Sequence, residues 1–154
     1  PADIYLTPAN IDIARLFGDP VINLLDVVPE RRDGRVVAMI SDTAIPLLDD
    51  YAPQIGQSCT LGLRPESLRF VPEATPGAIP VEVEAETPLN EKTVTLALTL
   101  RGREIMVSRP AGSPGPASGR AHIAVDATAA ILFDRETGRR IAPVRKIIRK
   151  EEVA

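Results

Sequence analysis

The side chains able to do chemistry are few. Histidine occurs once, as His122, and cysteine once, as Cys59. His122 lies in the apolar run Ala121-His122-Ile123-Ala124-Val125, the setting of a half-buried strand or interface histidine. One imidazole cannot build a zinc site without cysteines or clustered carboxylates beside it. Cys59, in Ser58-Cys59-Thr60-Leu61, has no sequence sign of the electropositive, partly open surroundings and neighbouring base that activate a thiol. It reads as a buried structural cysteine, and being alone it excludes an intramolecular disulfide. Glu82, Glu84 and Glu86 form a carboxylate row at strand spacing without the ligand pattern of a metal loop, so the row reads as a solvated face. Arg145-Lys146-Ile147-Ile148-Arg149-Lys150 carries charge for a membrane or nucleic acid but no aromatic on which bases could stack. No Gly-x-x-x-x-Gly-Lys-Ser/Thr occurs, so nucleotide hydrolysis has no phosphate cradle here. The sequence therefore assigns no catalytic residue, no metal ligand and no cofactor site.

The elements that hold these residues are short. The chain has 154 residues, room for one domain or two small packed β subdomains, and a core large enough to need no disulfide or metal. Aromatics are 3% with no Trp, so Val, Ile, Leu and Ala must fill that core. Fifteen prolines and ten glycines favour short strands and many turns. Net charge is -3, which gives no electrostatic pull toward nucleic acid. No apolar run approaches the roughly 20 residues that span a bilayer. The start, Pro1-Ala2-Asp3-Ile4-Tyr5, has neither a basic nor an apolar leader region and no initiator Met, and reads as the beginning of a fragment.

One helix is signalled. Thr7 can cap it, Pro8 suits its first position, and Ile11, Ala14 and Phe17 share a face before Gly18 and Pro20 stop it. After Asn23 the pattern turns to β. An apolar run over 24–28 and a strand over 35–40, joined through Asp33-Gly34, suggest a hairpin. Residues 44–48 suggest a short strand that Pro46 places on an edge or at a kink, and strands follow over 58–63 and 68–71. A Pro- and Gly-rich stretch over 72–80 reads as a linker. Beyond it Val81, Val83 and Ala85 alternate with glutamates, and Val94, Leu96, Leu98 and Leu100 alternate with Thr95, Ala97 and Thr99. Further strands are expected over 104–108, 121–125 and 131–133, with a mobile loop over 110–119. Two strand groups, 21–71 and 79–142, suggest two small barrel-like halves, followed by a tail over 143–154.

Three segments in order resemble the C-terminal region of sugar-importer ABC ATPases, the maltose-importer ATPase group. Asp3-Ile4-Tyr5-Leu6-Thr7-Pro8-Ala9-Asn10, then Ile13-Ala14-Arg15-Leu16-Phe17-Gly18-Asp19-Pro20-Val21-Ile22-Asn23, is similar to that family's junction out of its ATPase domain. Leu61-Gly62-Leu63-Arg64-Pro65-Glu66-Ser67-Leu68 is similar to its "G-I-R-P-E-H-L". Ile131-Leu132-Phe133-Asp134 with Glu136-Thr137-Gly138-Arg139-Arg140-Ile141 is similar to its closing "H-L-F-D … T-G-x-R-L". The family's "L-G-x-E-T" stands here as Leu89-Asn90-Glu91-Lys92-Thr93, with Lys92 reversing the expected charge.

The resemblance implies a mainly β, OB-like transport-associated (TOBE-like) domain over 21–142, with residues 1–20 as the helical end of a preceding ATP-binding domain. It implies a regulatory and dimerisation role in a cytoplasmic subunit held peripherally at the inner membrane by permease subunits. ATP and Mg would belong to the missing domain, and the partners would be that domain and a second copy, not nucleic acid. Arg64, Pro65 and Glu66 are expected as a structural corner. Ile11, Ala14, Phe17, Phe133 and Asp134 are expected at an interface, the first three packing on the ATPase domain or a neighbouring copy. The alternative is an OB-like domain sensing a small oxyanion or sugar. The Glu-rich strand weighs against anions, and the scarcity of aromatics weighs against sugars.

Overall fold

A computed structural model describes residues 21–116 and 119–143. The expected N-terminal helix, with Ile11, Ala14 and Phe17, and the basic tail from residue 144 lie outside the described residues.

Eleven strands are described: β1 Asn23–Val27, β2 Glu30–Arg32, β3 Arg35–Ile40, β4 Thr43–Pro46, β5 Cys59–Leu63, β6 Leu68–Val71, β7 Ile79–Leu89, β8 Lys92–Thr99, β9 Glu104–Pro110, β10 Arg120–Val125 and β11 Ile131–Asp134. Short 3-10 turns occupy Asp49–Gln54, Pro65–Ser67 and Ala127–Ala129. The strands form three antiparallel sheets, ordered β1-β5-β11, β6-β10-β7-β8-β9 and β2-β3-β4. Period-two hydropathy interrupted by frequent proline and glycine favours such short strands.

The two expected strand groups, 21–71 and 79–142, are joined by strand pairing between them. β10 from the second strand group pairs with β6 of the first, Ile123 opposite Phe70, and β11 pairs with β5, Leu132 opposite Leu61. One core joins Val36, Ile40 and Ile45 to Leu61, Leu63, Ile79, Ile105, Val107, Ile123 and Leu132. Side chains of both strand groups are buried together in this core. Full burial of such side chains is worth about 1.5–3 kcal/mol each, which favours one shared core over two thin ones.

The first hairpin also differs from expectation. The apolar run beginning at Leu24 pairs with β5, Leu25 opposite Leu61, while the polar Glu30–Arg32 pairs with β3. Asp33 and Gly34, both at positive φ, close that two-residue turn. An apolar strand gains more from the domain centre than from a local turn, and hydropathy alone does not name its partner.

In β8 Val94 is buried as expected, but beyond it the faces are exchanged. Thr95, Ala97 and Thr99 are buried, Leu96 and Leu98 are half-buried, and Leu100 is 66% exposed. The inward hydroxyls are bonded: Thr95 Oγ1 accepts from Arg109 Nη1 at 2.9 Å, and Thr99 Oγ1 accepts from the Arg103 N–H at 3.1 Å. β7 carries a bulge between Val83 and Ala85, which splits the glutamate row. Glu82 stands opposite Leu98, whereas Glu86 stands opposite Thr95 on the other face.

Candidate functional site

The described part of the expected site is built where the chain crosses from the β1-β5-β11 sheet to the five-stranded one. β5 ends at Leu63, and Pro65 holds Arg64 extended at φ -70, ψ 137. Pro65 then starts a single 3-10 turn, where its missing N–H costs nothing, and the Ser67 N–H donates to the Arg64 carbonyl at 3.0 Å. Pro65 is buried, Arg64 half-buried and Glu66 exposed. Burial, then the nearby Arg140 charge, pull the Arg64 guanidinium below its ordinary pKa.

The second anchor is one that reading motifs for chemistry passes over. The Asn23 side chain donates from Nδ2 to the Leu63 carbonyl at 3.0 Å and to the Met106 carbonyl at 2.9 Å. Its Oδ1 accepts from the Met106 N–H at 2.8 Å. A primary amide carries donor and acceptor side by side, as a peptide group does, so Asn23 pairs with the free edge of β9 like one more strand residue. It is 7% exposed and joins β1, β5 and β9. The one sequence signal for it is its place at the end of the Gly18 to Asn23 junction motif.

The third anchor is the turn after β11. Asp134 accepts from the N–H groups of Glu136 and Thr137, both at 2.9 Å, and Gly138 takes φ 73 to close the loop. These bonds, that from Thr137 first, lower the Asp134 pKa below the ordinary carboxylate value. Arg135 reaches back to the β1–β5 end, donating to the Val27 carbonyl at 2.8 Å and the Cys59 carbonyl at 3.2 Å. Its ion pair with Asp26, at 3.6 Å, is largely solvated. Phe133 is 0% exposed, against Ile22, Ile131 and Gly62.

The remaining chemical candidates are dispersed. Cys59 is buried; burial and the Asp134 charge raise its pKa, so the thiol stays protonated at neutral pH. His122 is half-buried on β10 and lines an open cleft of about 500 Å³ with Phe70, Glu73 and Arg120. A second open groove of about 690 Å³ balances Arg103 and Arg135 against Asp26 and Glu30, leaving no net charge to attract an ion. Glu86 is held by Arg109 at 3.1 Å. Among the described residues no three His, Cys, Asp or Glu side chains come together as a metal site. No described helix is long and apolar enough to cross a membrane.

The strands form a β domain of OB type. The likeness extends to the cytoplasmic molybdate-binding protein ModG, with a TM-score of 0.55 over 73% of this chain and 95% of that one, at 11% identity. No family model matches the chain. Among curated proteins it is 33% identical over 142 residues to the sn-glycerol-3-phosphate import ATP-binding protein UgpC of Cereibacter sphaeroides, covering 92% of this chain. It is 32% identical over 142 residues to UgpC of Salmonella typhimurium, again over 92% of this chain. It is 28% identical over 115 residues to the osmoprotective compounds uptake ATP-binding protein GgtA of Synechocystis, over 73% of this chain. The chain spans 38%, 39% and 30% of those relatives' lengths. It is a homologue of the C-terminal, TOBE-like region of ABC importer ATP-binding proteins.

Proposed function

We propose that this chain is the C-terminal regulatory and dimerisation domain of the ATP-binding subunit of an ABC importer for a sugar or related solute. The observation that carries this reading is the match over 92% of the chain to part of importer ATP-binding proteins. The fold is consistent with that role: hydrogen-bonded anchors at Asn23, Arg135 and Asp134 brace a β scaffold. The domain has no catalytic centre of its own. ATP and Mg belong to the ATP-binding domain of the parent subunit, and membrane permease subunits are its further partners. The assembly lies on the cytoplasmic side of the inner membrane, and a second copy pairs with this domain.

Two measurements test the reading. The purified chain is expected to hydrolyse no ATP, and its weight-average mass in sedimentation is expected to rise toward a dimer with concentration. Turnover of nucleotide, or a strict monomer at the highest concentration, refutes the corresponding half. A small-ligand sensing role is the second reading, favoured by the cleft that His122 and Arg120 line. Thermal-shift screening with molybdate, sulfate and sugars tests it, and no stabilisation by any of them retires it.

A further inference from the structure

Val28 is a large apolar side chain left in the open, 48% exposed. It lines the groove of about 690 Å³, with the half-buried Met39 and Ile55 as further apolar lining. Leu100, also exposed, stands in the turn after β8 that brings Arg103 to the same groove. Ionic groups ring this apolar centre. Arg103 donates from Nη1 to the Asp26 carbonyl at 3.2 Å, which fixes it at the Asp26 end of the stretch from Asp26 to Glu30. Arg135 is held at that end too, 3.6 Å from the Asp26 carboxylate. Glu30 stands at the other end, where β2 begins, in an exposed ion pair with Arg32. Val28 is midway along the stretch.

An apolar centre inside a polar rim is the anatomy of a protein interface. Two arginines and two carboxylates cancel around this rim, so a partner of one charge sign gains nothing from it. Such a surface is instead complementary to itself. A second copy turned about a two-fold axis through Val28 lays its Glu30 end on the Asp26 end of the first, and unlike charges meet twice. We propose that this groove is the face on which two copies of the chain pair, with Val28 at the axis and Arg103 of each copy against Glu30 of the other. The proposal rests on the reading that a second copy pairs with this domain, and adds the surface that does so. The pair that Glu30 makes with Arg32 is solvated and of little worth, so it yields readily to a partner across the axis. A small apolar centre with a charged rim makes the association weak and salt-sensitive.

The test is sedimentation equilibrium of the whole chain at low salt over a concentration series. The wild-type mass is expected to rise toward that of a dimer. Val28→Asp is expected to raise the dissociation constant by about tenfold or more, because it buries an unpaired charge at the axis. Leu89→Asp, exposed at the other end of β8, leaves it unchanged. Arg103→Glu and Glu30→Arg are each expected to weaken pairing by about tenfold or more, since like charges then meet on both sides of the axis. An equimolar mixture of these two variants is expected to recover wild-type pairing, because a mixed dimer sets unlike charges together at both positions. Unfolding midpoints show that each variant is folded; if Val28→Asp is not, the mixture carries the test alone. A wild type that dimerises while the mixture pairs no better than its components overturns this face and leaves dimerisation itself standing. A folded Val28→Asp that dimerises as the wild type does has the same meaning. A wild type that stays monomeric at every concentration overturns both.

Discussion

Replacing Asn23 by Ala removes three hydrogen bonds at once, to the Leu63 carbonyl and to both backbone groups of Met106. Each such bond contributes about 0.5–1.5 kcal/mol net, and a buried group left without a partner costs about 1–3 kcal/mol. The Met106 groups face the side of β9 away from β8, where water can reach part of them once the amide is gone. That relief places the expected loss near the lower sums, about 2–4 kcal/mol. At roughly 2–4 °C per kcal/mol for a domain of this size, the melting midpoint should fall by about 4–16 °C. Asn23→Asp gives a sharper test. Its carboxylate keeps an acceptor for the Met106 N–H but faces the Leu63 and Met106 carbonyls with charge instead of donors. Its folded pKa is thereby raised, so the variant's residual stability is present at low pH and lost as pH rises through that pKa. Urea unfolding at several pH values and exchange of the Met106 amide measure both effects. Wild-type midpoints in Asn23→Ala, with the Met106 amide still protected, would refute the idea that this amide closes the β1–β9 junction.

Further outcomes follow from the other anchors. A methyl group on Gly62 would stand 2.8 Å from the Phe133 ring and 3.1 Å from Ile22, so Gly62→Ala should cost about 1–3 kcal/mol by overpacking, read by thermal unfolding. Pairing it with Phe133→Leu should recover part of that loss. Asp134 and Asp126 both have lowered pKa values, from backbone hydrogen bonds to Thr137 and Thr128 respectively. Their stabilisation is therefore complete above the unfolded carboxylate range and is lost as pH falls through the folded values; Asp134→Asn should flatten the acid limb of a stability–pH curve. Cys59 should resist alkylation at neutral pH until urea unfolds the chain, and rapid labelling of the native protein would show its surroundings to be open.

Much of the β content was legible because strand hydropathy has a short period and proline and glycine mark its ends. The boundaries near Arg35, Cys59, Leu68 and Ile131 needed no partner to be seen. The Arg64-Pro65 corner was legible for a local reason too, since proline restricts the residue before it wherever the chain goes. Asn23 was not. An asparagine after an apolar dipeptide has no signature until a strand edge 83 residues away is brought against it. The bulge in β7 was equally hidden: Glu82, Glu84 and Glu86 read as one face, and only pairing with β8 reveals the extra residue that turns Glu86 toward Arg109.

By itself the sequence determined that this protein is a β domain without a phosphate cradle, a paired thiol or a histidine cluster, and it carried the three motifs of its family. Tertiary structure decided which strands are neighbours, which face of β8 turns inward, and that two strand groups share one core. The physical reason is range. Dihedral preference and hydropathy act over a few residues and survive in any context, whereas a partner for a leucine stripe or a carbonyl is chosen by competition among every surface the chain can bring to it.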